Sequence, residues 1–472
     1  MSEQKISNKK NHLLSWIIFL PVLIIVLLST ILVIFPALPI TFFDKIRFPV
    51  DINAFEPGIW MAPILISNTI IFATIILYRK NKLPQKITSL FRSILNFEIS
   101  HRTALVLIGV LISSYVILTA GELYTEEPWA DYAGVKKTLD NFSPDDVKFQ
   151  FKMIPNILAF LTMEIFGSYR VAPFIASIFC LFLTYLVTVQ LSKKRFAGII
   201  ALGIVLQSES FLVYDTLITY PIFWIMFFLL SIYFVFKSLF LPVVSYTAMV
   251  ISHPLSLGFF PITIPFIVLL DLPKRKKIFL LLSYSVLVVI GLVLIFAEII
   301  ALPDYLTDYL TGGLSAPLDS TSSLDVSRII SAFASIFAQF RYDALIVTFS
   351  LPLVVCLFLA SKQGISNANA VLALIGGVIL LVVFVPLVTG QGNTPYRILP
   401  LVFFFAIGVG TLLSKNINLE NNLLAYSTVR ENSKKRDDEK SKERLDTIEN
   451  SEHKSPSNLR RAEERKKKLG RS

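Results

Sequence analysis

Charge is scarce in this 472-residue chain: only 16% of its residues are Asp, Glu, Lys or Arg, against roughly 25% in ordinary soluble domains. Hydrophobic residues make up 54%, and they fall in long blocks. That excludes a water-soluble globular protein of one to three domains and leaves an all-α polytopic membrane protein. Cysteine is nearly missing. The two that exist, Cys180 and Cys356, lie inside apolar blocks, so a structural disulfide is not expected. The four histidines are scattered, with no zinc-type spacing. There is no glycine-rich nucleotide loop after a strand. No repeat of 20–50 residues marks a soluble solenoid, and two similar halves, as in many transporters, are not evident.

Such charge as there is lies unevenly. The formal net charge is +11. Residues 415–472 concentrate basic and acidic residues together with few large apolar ones, a composition that cannot build a core and reads as a mostly disordered cytoplasmic tail. Its last stretch, SPSNLRRAEERKKKLGRS, could also form a basic helix on an anionic leaflet. Elsewhere Lys and Arg flank apolar blocks as expected beside membrane spans, so no nucleic-acid partner is inferred.

A span needs about 20 apolar helical residues. Twelve candidates emerge: 13–39, 58–78, 103–120, 171–191, 197–213, 221–239, 241–257, 259–271, 278–300, 343–360, 368–388 and 397–414. The first comes after Lys9 and Lys10 but is too long for a signal-peptide core and is read as retained. The pair 241–257 and 259–271 is one run broken by Pro254 and Pro261. Loop 79–102 is basic with only Glu98 opposing, loop 192–196 holds Lys193, Lys194 and Arg195, and loop 271–277 holds Lys274, Arg275, Lys276 and Lys277. All three share one side if 121–170 is a single excursion, and the positive-inside rule makes that side the cytoplasm. Both termini are then cytoplasmic and the chain is a multi-pass protein of the cell membrane.

Polar residues near the membrane gather on the opposite, extracytoplasmic side. The first long loop opens with GELYTEEPWADYAG and carries Glu122, Glu126, Glu127 and Asp131. A helix over 126–134 would place Glu127 and Asp131 one turn apart on one face. Partial desolvation would raise the pKa of one such carboxylate and suit it to general-base work, and a pair could hold a divalent cation. The competing reading is a solvated acidic loop. The loop then runs through FKMIPNILAFLTMEIFGSYR, read as a helix at the interface before the chain re-enters at Arg170. Glu209 and Asp215 end the fifth span, Glu298 the ninth, Arg341 and Asp343 precede the tenth, and Arg397 opens the last in GQGNTPYRILP. An Arg fork suits a phosphate, although Arg170 and Arg341 read first as helix-end residues reaching for headgroups. His253 reads as a packing residue. Loop 301–328, with Asp304, Asp308, Asp319 and Asp325, reads as an outer loop.

The order of these features resembles the GT-C superfamily of membrane glycosyltransferases, in the branch of protein O-mannosyltransferases and aminoarabinose transferases. The likeness covers 103–414. It rests on the acidic pair Glu126-Glu127 after the first core helix, on Pro155 and the IFGSYR corner ending in Arg170, on the basic turn SKKR, on SESFLVYDTLITYP, and on PYRILP at the last helix. Residues 1–102, with two further spans, have no counterpart in it. The resemblance implies transfer of a sugar from a polyprenyl- or dolichyl-phosphate carrier to an acceptor protein, lipid or glycan. Glu126 or Glu127 would then be the base and Arg397 the phosphate ligand, with Tyr396, Arg170, Asp131 and Asp215 around the substrate. One departure stands out: Tyr220 occupies a place where the family often has an acidic residue, leaving Asp215 as the nearby carboxylate. No cofactor is called for beyond the open question of a divalent cation. A transporter or lipid flippase, and a non-catalytic scaffold of the same fold, are the alternatives.

Overall fold

In a computed structural model the described residues are 2–38, 53–80, 82–127, 135–137, 139–141, 152–218, 221–301, 343–365, 367–389 and 399–414, with a few positions between 460 and 467. Side chains are described for these except at 2–12, 254–255, 295–301 and 382–389. Contacts divide the chain into 1–415 and 416–472. The first unit is the helical body that carries the candidate site.

Among the described residues the fold is helical, without strands. In chain order the helices are α1 (Ser2–Ile34), α2 (Met61–Arg79), α3 (Gln85–Asn96), α4 (His101–Thr119), α5 (Met153–Phe166), α6 (Val171–Ser192), α7 (Arg195–Leu206), α8 (Glu209–Tyr214), α9 (Pro221–Val235), α10 (Leu241–Ser252), α11 (Phe260–Leu269), α12 (Lys274–Ala301), α13 (Ala344–Lys362), α14 (Ala368–Thr389) and α15 (Leu399–Leu412). Among the described residues six helical stretches are long and apolar enough to cross a membrane: Leu13–Ile34, Met61–Arg79, His101–Glu122, Val171–Ser192, Lys274–Leu294 and Ala344–Lys362. They coincide with six of the twelve expected spans. Five of the other six fall on the shorter apolar helices α7, α9, α10, α11 and α15, and 368–388 falls on α14.

Helix boundaries follow local chemistry. Ser100 caps α4 by accepting the Thr103 N–H at 3.1 Å, and Ser208 caps α8 by accepting the Phe211 N–H at 3.0 Å. Gly167 ends α5 in the left-handed region at φ +71°, a conformation that costs glycine least. Lys193 ends α6 the same way at φ +61°, its N–H returning to the Val189 carbonyl at 2.8 Å. α5 is the apolar stretch expected at the interface; Pro155, Asn156, Ala159 and Thr162 are buried on it, and the Lys152 N–H ahead of it bonds the Ile251 carbonyl of α10 at 2.8 Å. α3 was not expected at all: it lies inside the basic stretch 79–102, read from sequence as a loop.

The core lies where α6, α7, α9 and α15 meet. Leu181, Ala201, Leu202, Ile222, Phe223, Phe403 and Phe404 there are fully or almost fully buried. Glycines bring the backbones close. An added Cβ at Gly198 would lie 2.6 Å from Tyr185 Cδ2, and one at Gly410 would meet Thr188 and, at 3.1 Å, the Ala197 carbonyl. Close approach through small residues is how helices pack when lipid removes the hydrophobic drive between them. An aromatic relay continues outward: Tyr115 to Phe211 and Phe211 to Phe403, each at 5.7 Å between ring centroids. By contrast α2 and α4 expose most of their apolar side chains, the surface of helices suited to hydrocarbon.

Contacts sort the charged residues onto opposite ends of this helical body. At one end Lys194 donates to the Leu95 carbonyl, the Arg195 N–H donates to Glu98 at 3.0 Å, and Phe97 meets Phe196 edge-on at 4.8 Å. Lys193 sits over Phe236, Phe240 contacts Phe279 beside the Lys274–Lys277 run, and Lys362 sits over Trp16. The opposite ends of α4 and α6 carry Glu122 and Arg170, with Glu127 and Asp215 in the nearby connecting stretches.

Candidate functional site

Three separated stretches build the site: the start of the loop after α4 (122–127), the corner between α5 and α6 (167–170), and the connector from α8 to α9 (215–218). Arg170 joins them. It is 7% exposed, so the reading of it as a residue reaching for headgroups is corrected. One terminal nitrogen donates to the Thr125 carbonyl at 3.1 Å and to Thr125 Oγ1 at 2.7 Å, and the other donates to Thr216 Oγ1 at 2.5 Å. Glu122 stands 3.7 Å from that second nitrogen but is 53% exposed, so this ion pair adds little. Ser168 reinforces the corner, donating to the Leu123 carbonyl at 2.5 Å and accepting the Arg170 N–H at 3.2 Å. Most of the Arg170 fork is thus occupied by protein, and it works here as a clamp. Only its buried Nε has no partner.

The clamp separates the two glutamates that sequence could not tell apart. Glu126 is exposed, while Glu127 is 6% exposed. Both lie in irregular backbone, so the expected helix does not begin at 126. The Ile218 N–H donates to Glu127 Oε1 at 2.9 Å, whereas Oε2 is buried without a partner. Burial pushes the Glu127 carboxyl above the usual range; the Ile218 amide and the Arg170 charge oppose that rise without cancelling it.

Asp215 is fully buried and neither carboxylate oxygen makes a hydrogen bond. Its main chain is held by Ser177 of α6, whose hydroxyl donates to the Asp215 carbonyl at 2.6 Å. The Tyr115 hydroxyl lies within electrostatic reach but outside hydrogen-bonding geometry. Burial pushes the Asp215 carboxyl from 3.8 up to about 7, with the Glu122 charge adding to the rise and Tyr115, the Thr216 amide and Arg170 opposing it. A carboxyl that titrates near neutrality can take and return a proton at working pH.

A third buried carboxylate, Asp343 at the start of α13, accepts from Ser208 Oγ at 2.8 Å, tying α13 to the cap of α8. Glu209 is exposed. Asp131, Tyr396 and Arg397 lie outside the described residues, as do Tyr220, Arg341 and loop 302–342; the side chain of Glu298 does too. Among the described residues no group of three or more His, Cys, Asp or Glu is placed to hold a metal ion. Sequence reading missed Tyr115, Thr125, Ser168, Ser177 and Thr216. Of these only Tyr115, a polar ring inside an apolar span, carried a visible signal.

Against family models, curated proteins and solved structures, the chain shows no match.

Proposed function

We propose that this protein is a membrane glycosyltransferase of GT-C type, moving a sugar from a polyprenyl- or dolichyl-phosphate carrier to an acceptor hydroxyl, with Glu127 as the base. One observation carries the reading. The motifs whose order suggested it, the acidic pair, the IFGSYR corner and the aspartate after the fifth span, are drawn together by Arg170 around Glu127 and Asp215, two buried carboxylates with unpartnered oxygens. In this proposal the short apolar helices complete twelve crossings, the basic end faces the cytoplasm with both termini, and the carboxylate end faces outward in the cell membrane.

The chemistry is a substitution at the anomeric carbon. The acceptor O–H gives its proton to Glu127 Oε2 while its oxygen bonds the anomeric carbon. The bond from that carbon to the phosphate oxygen breaks, and the lipid phosphate leaves with the electron pair. The Ile218 amide fixes the orientation of Glu127. Arg397, with Tyr396 beside it, is assigned to the departing phosphate, where a guanidinium offsets developing charge. Asp131 and Asp215 are assigned to the substrate side, and Arg170 to positioning.

The test uses purified full chain in nanodiscs with radiolabelled polyprenyl-phosphate sugars. Glu127→Gln should lower transfer by about 100-fold or more, the usual scale for loss of a general base, while Glu126→Gln keeps most of it. Equal transfer by Glu127→Gln and the native chain would sink the assignment. Absence of transfer with every donor, together with solute or lipid flux in liposomes, would instead select the transporter or flippase.

A further inference from the structure

We infer that α3 is an in-plane membrane helix that seats the cytoplasmic-side loop on anionic lipid. It rests on the membrane-crossing reading of α2 and α4 but not on the catalytic one.

The placement is forced by topology. α2 ends at Arg79 and α4 begins at His101, and both are long and apolar enough to cross a membrane. The 21 residues between them must therefore turn at one membrane boundary, and α3 occupies Gln85–Asn96 of that turn. At 1.5 Å per residue it is about 18 Å long, too short to cross.

One face of α3 is apolar and open. Ile87, Leu90, Phe91 and Ile94 follow the i, i+3, i+4, i+7 spacing and are 40%, 59%, 43% and 40% exposed. On another face Thr88 turns inward at 6% exposed, and Leu83, ahead of the helix, is buried at 2%. The helix is not loose. Lys194 donates to the Leu95 carbonyl and Phe97 packs on Phe196, so the body holds α3 with its apolar row outward. The helices on either side of the turn are exposed in the same way, with Ile70, Ile76 and Leu77 on α2 and Leu105 and Val106 on α4, which the same reading puts in lipid.

Charge selects the lipid. Lys80, Lys82 and Lys86 are exposed, and Arg79 and Arg92 add to them. No Asp or Glu occurs between 79 and 97; the first, Glu98, accepts the Arg195 N–H. A helix with an apolar face and a basic flank lies at the boundary of headgroups and acyl chains, and each basic residue there favours an anionic leaflet.

The test places a fluorophore on Leu90→Cys in the full chain, after Cys180→Ala and Cys356→Ala, in vesicles of phosphatidylcholine with 30% phosphatidylglycerol as a chosen composition. Ser89→Cys, on the polar face, is the companion probe. Brominated lipid should quench the Leu90 probe and aqueous iodide should not, with the reverse at Ser89. Brominated phosphatidylglycerol should quench about threefold more strongly than brominated phosphatidylcholine at equal fraction, and Lys80→Gln/Lys82→Gln/Lys86→Gln should remove that preference. A Leu90 probe open to iodide, or shielded from iodide yet untouched by brominated lipid as under a protein partner, overturns the inference. Equal quenching by the two lipids in the native-charge chain overturns its anionic part.

Discussion

Replacing Asp215 by asparagine should make the protein more stable at pH 8, and by less than half as much at pH 5. The folded carboxyl titrates at about 7 in place of 3.8. Between those values the folded state holds a proton that the unfolded state has released, so stability falls as pH rises. The loss begins near pH 4, is complete above about pH 7, and is absent below the unfolded value. At about 1.4 kcal/mol per pH unit, the difference amounts to at most about 4 kcal/mol. Asp215→Asn keeps the size and removes the charge, so it should regain that amount at pH 8. For a helical body of this length, that is a rise in thermal midpoint of about 4–8 °C. The groups that act on Asp215 are Tyr115, Glu122 and Arg170; Arg170 stays charged throughout the range. Intrinsic fluorescence melts in detergent, with Trp224 buried against Phe259 as a reporter, would read the midpoint at pH 5, 6, 7 and 8. A variant no more stable than the native chain at pH 8, or one keeping the full native slope, would refute the reasoning.

Glu127→Gln should remove a smaller part of the same slope, since its carboxyl is also raised by burial, and the two variants measured together should flatten the profile more than either alone. Arg170→Lys should cost about 3 kcal/mol, because a single ammonium cannot serve both Thr125 and Thr216 and a buried polar network is left broken; a thermal midpoint equal to that of the native chain would contradict the clamp. Gly198→Ala should destabilise by about 1–3 kcal/mol by forcing Tyr185 and Val189 apart. Gly203→Ala on the same helix meets nothing within 4 Å and should stabilise by about 0.5–1 kcal/mol; melts of the two variants should move in opposite directions.

The long apolar helices were legible in the sequence because composition and length define them. Shorter ones such as α7 and α9 were visible as apolar runs, but where their helical backbone ends depends on caps and neighbours. The site was half legible. Its motif order pointed to Glu126-Glu127, Arg170 and Asp215, yet periodicity cannot choose between adjacent glutamates in irregular backbone; the Ile218 amide, 91 residues away, does. Arg170 looked like a surface residue because its partners, Thr125 and Thr216, are ordinary threonines far along the chain. α3 escaped notice for a different reason. Its apolar residues carry helical spacing, but over only 12 positions and diluted by Lys86, Arg92 and polar side chains, so the charge of the loop dominated the reading.

The Arg170 clamp also has a consequence in time. Thr125, Arg170 and Thr216 leave the ribosome in that order, and Glu127 must wait for Ile218. At about 5–20 residues per second, the stretch of 91 residues between them takes on the order of ten seconds to synthesise. Through that interval Glu127 lacks its amide donor, and once Arg170 is made it has Thr125 within the chain but not yet Thr216. Glu127 therefore gains its amide donor, and Arg170 its second hydroxyl, only once the connector after α8 has been made, when α4 to α8 are already synthesised and α9 is still to come.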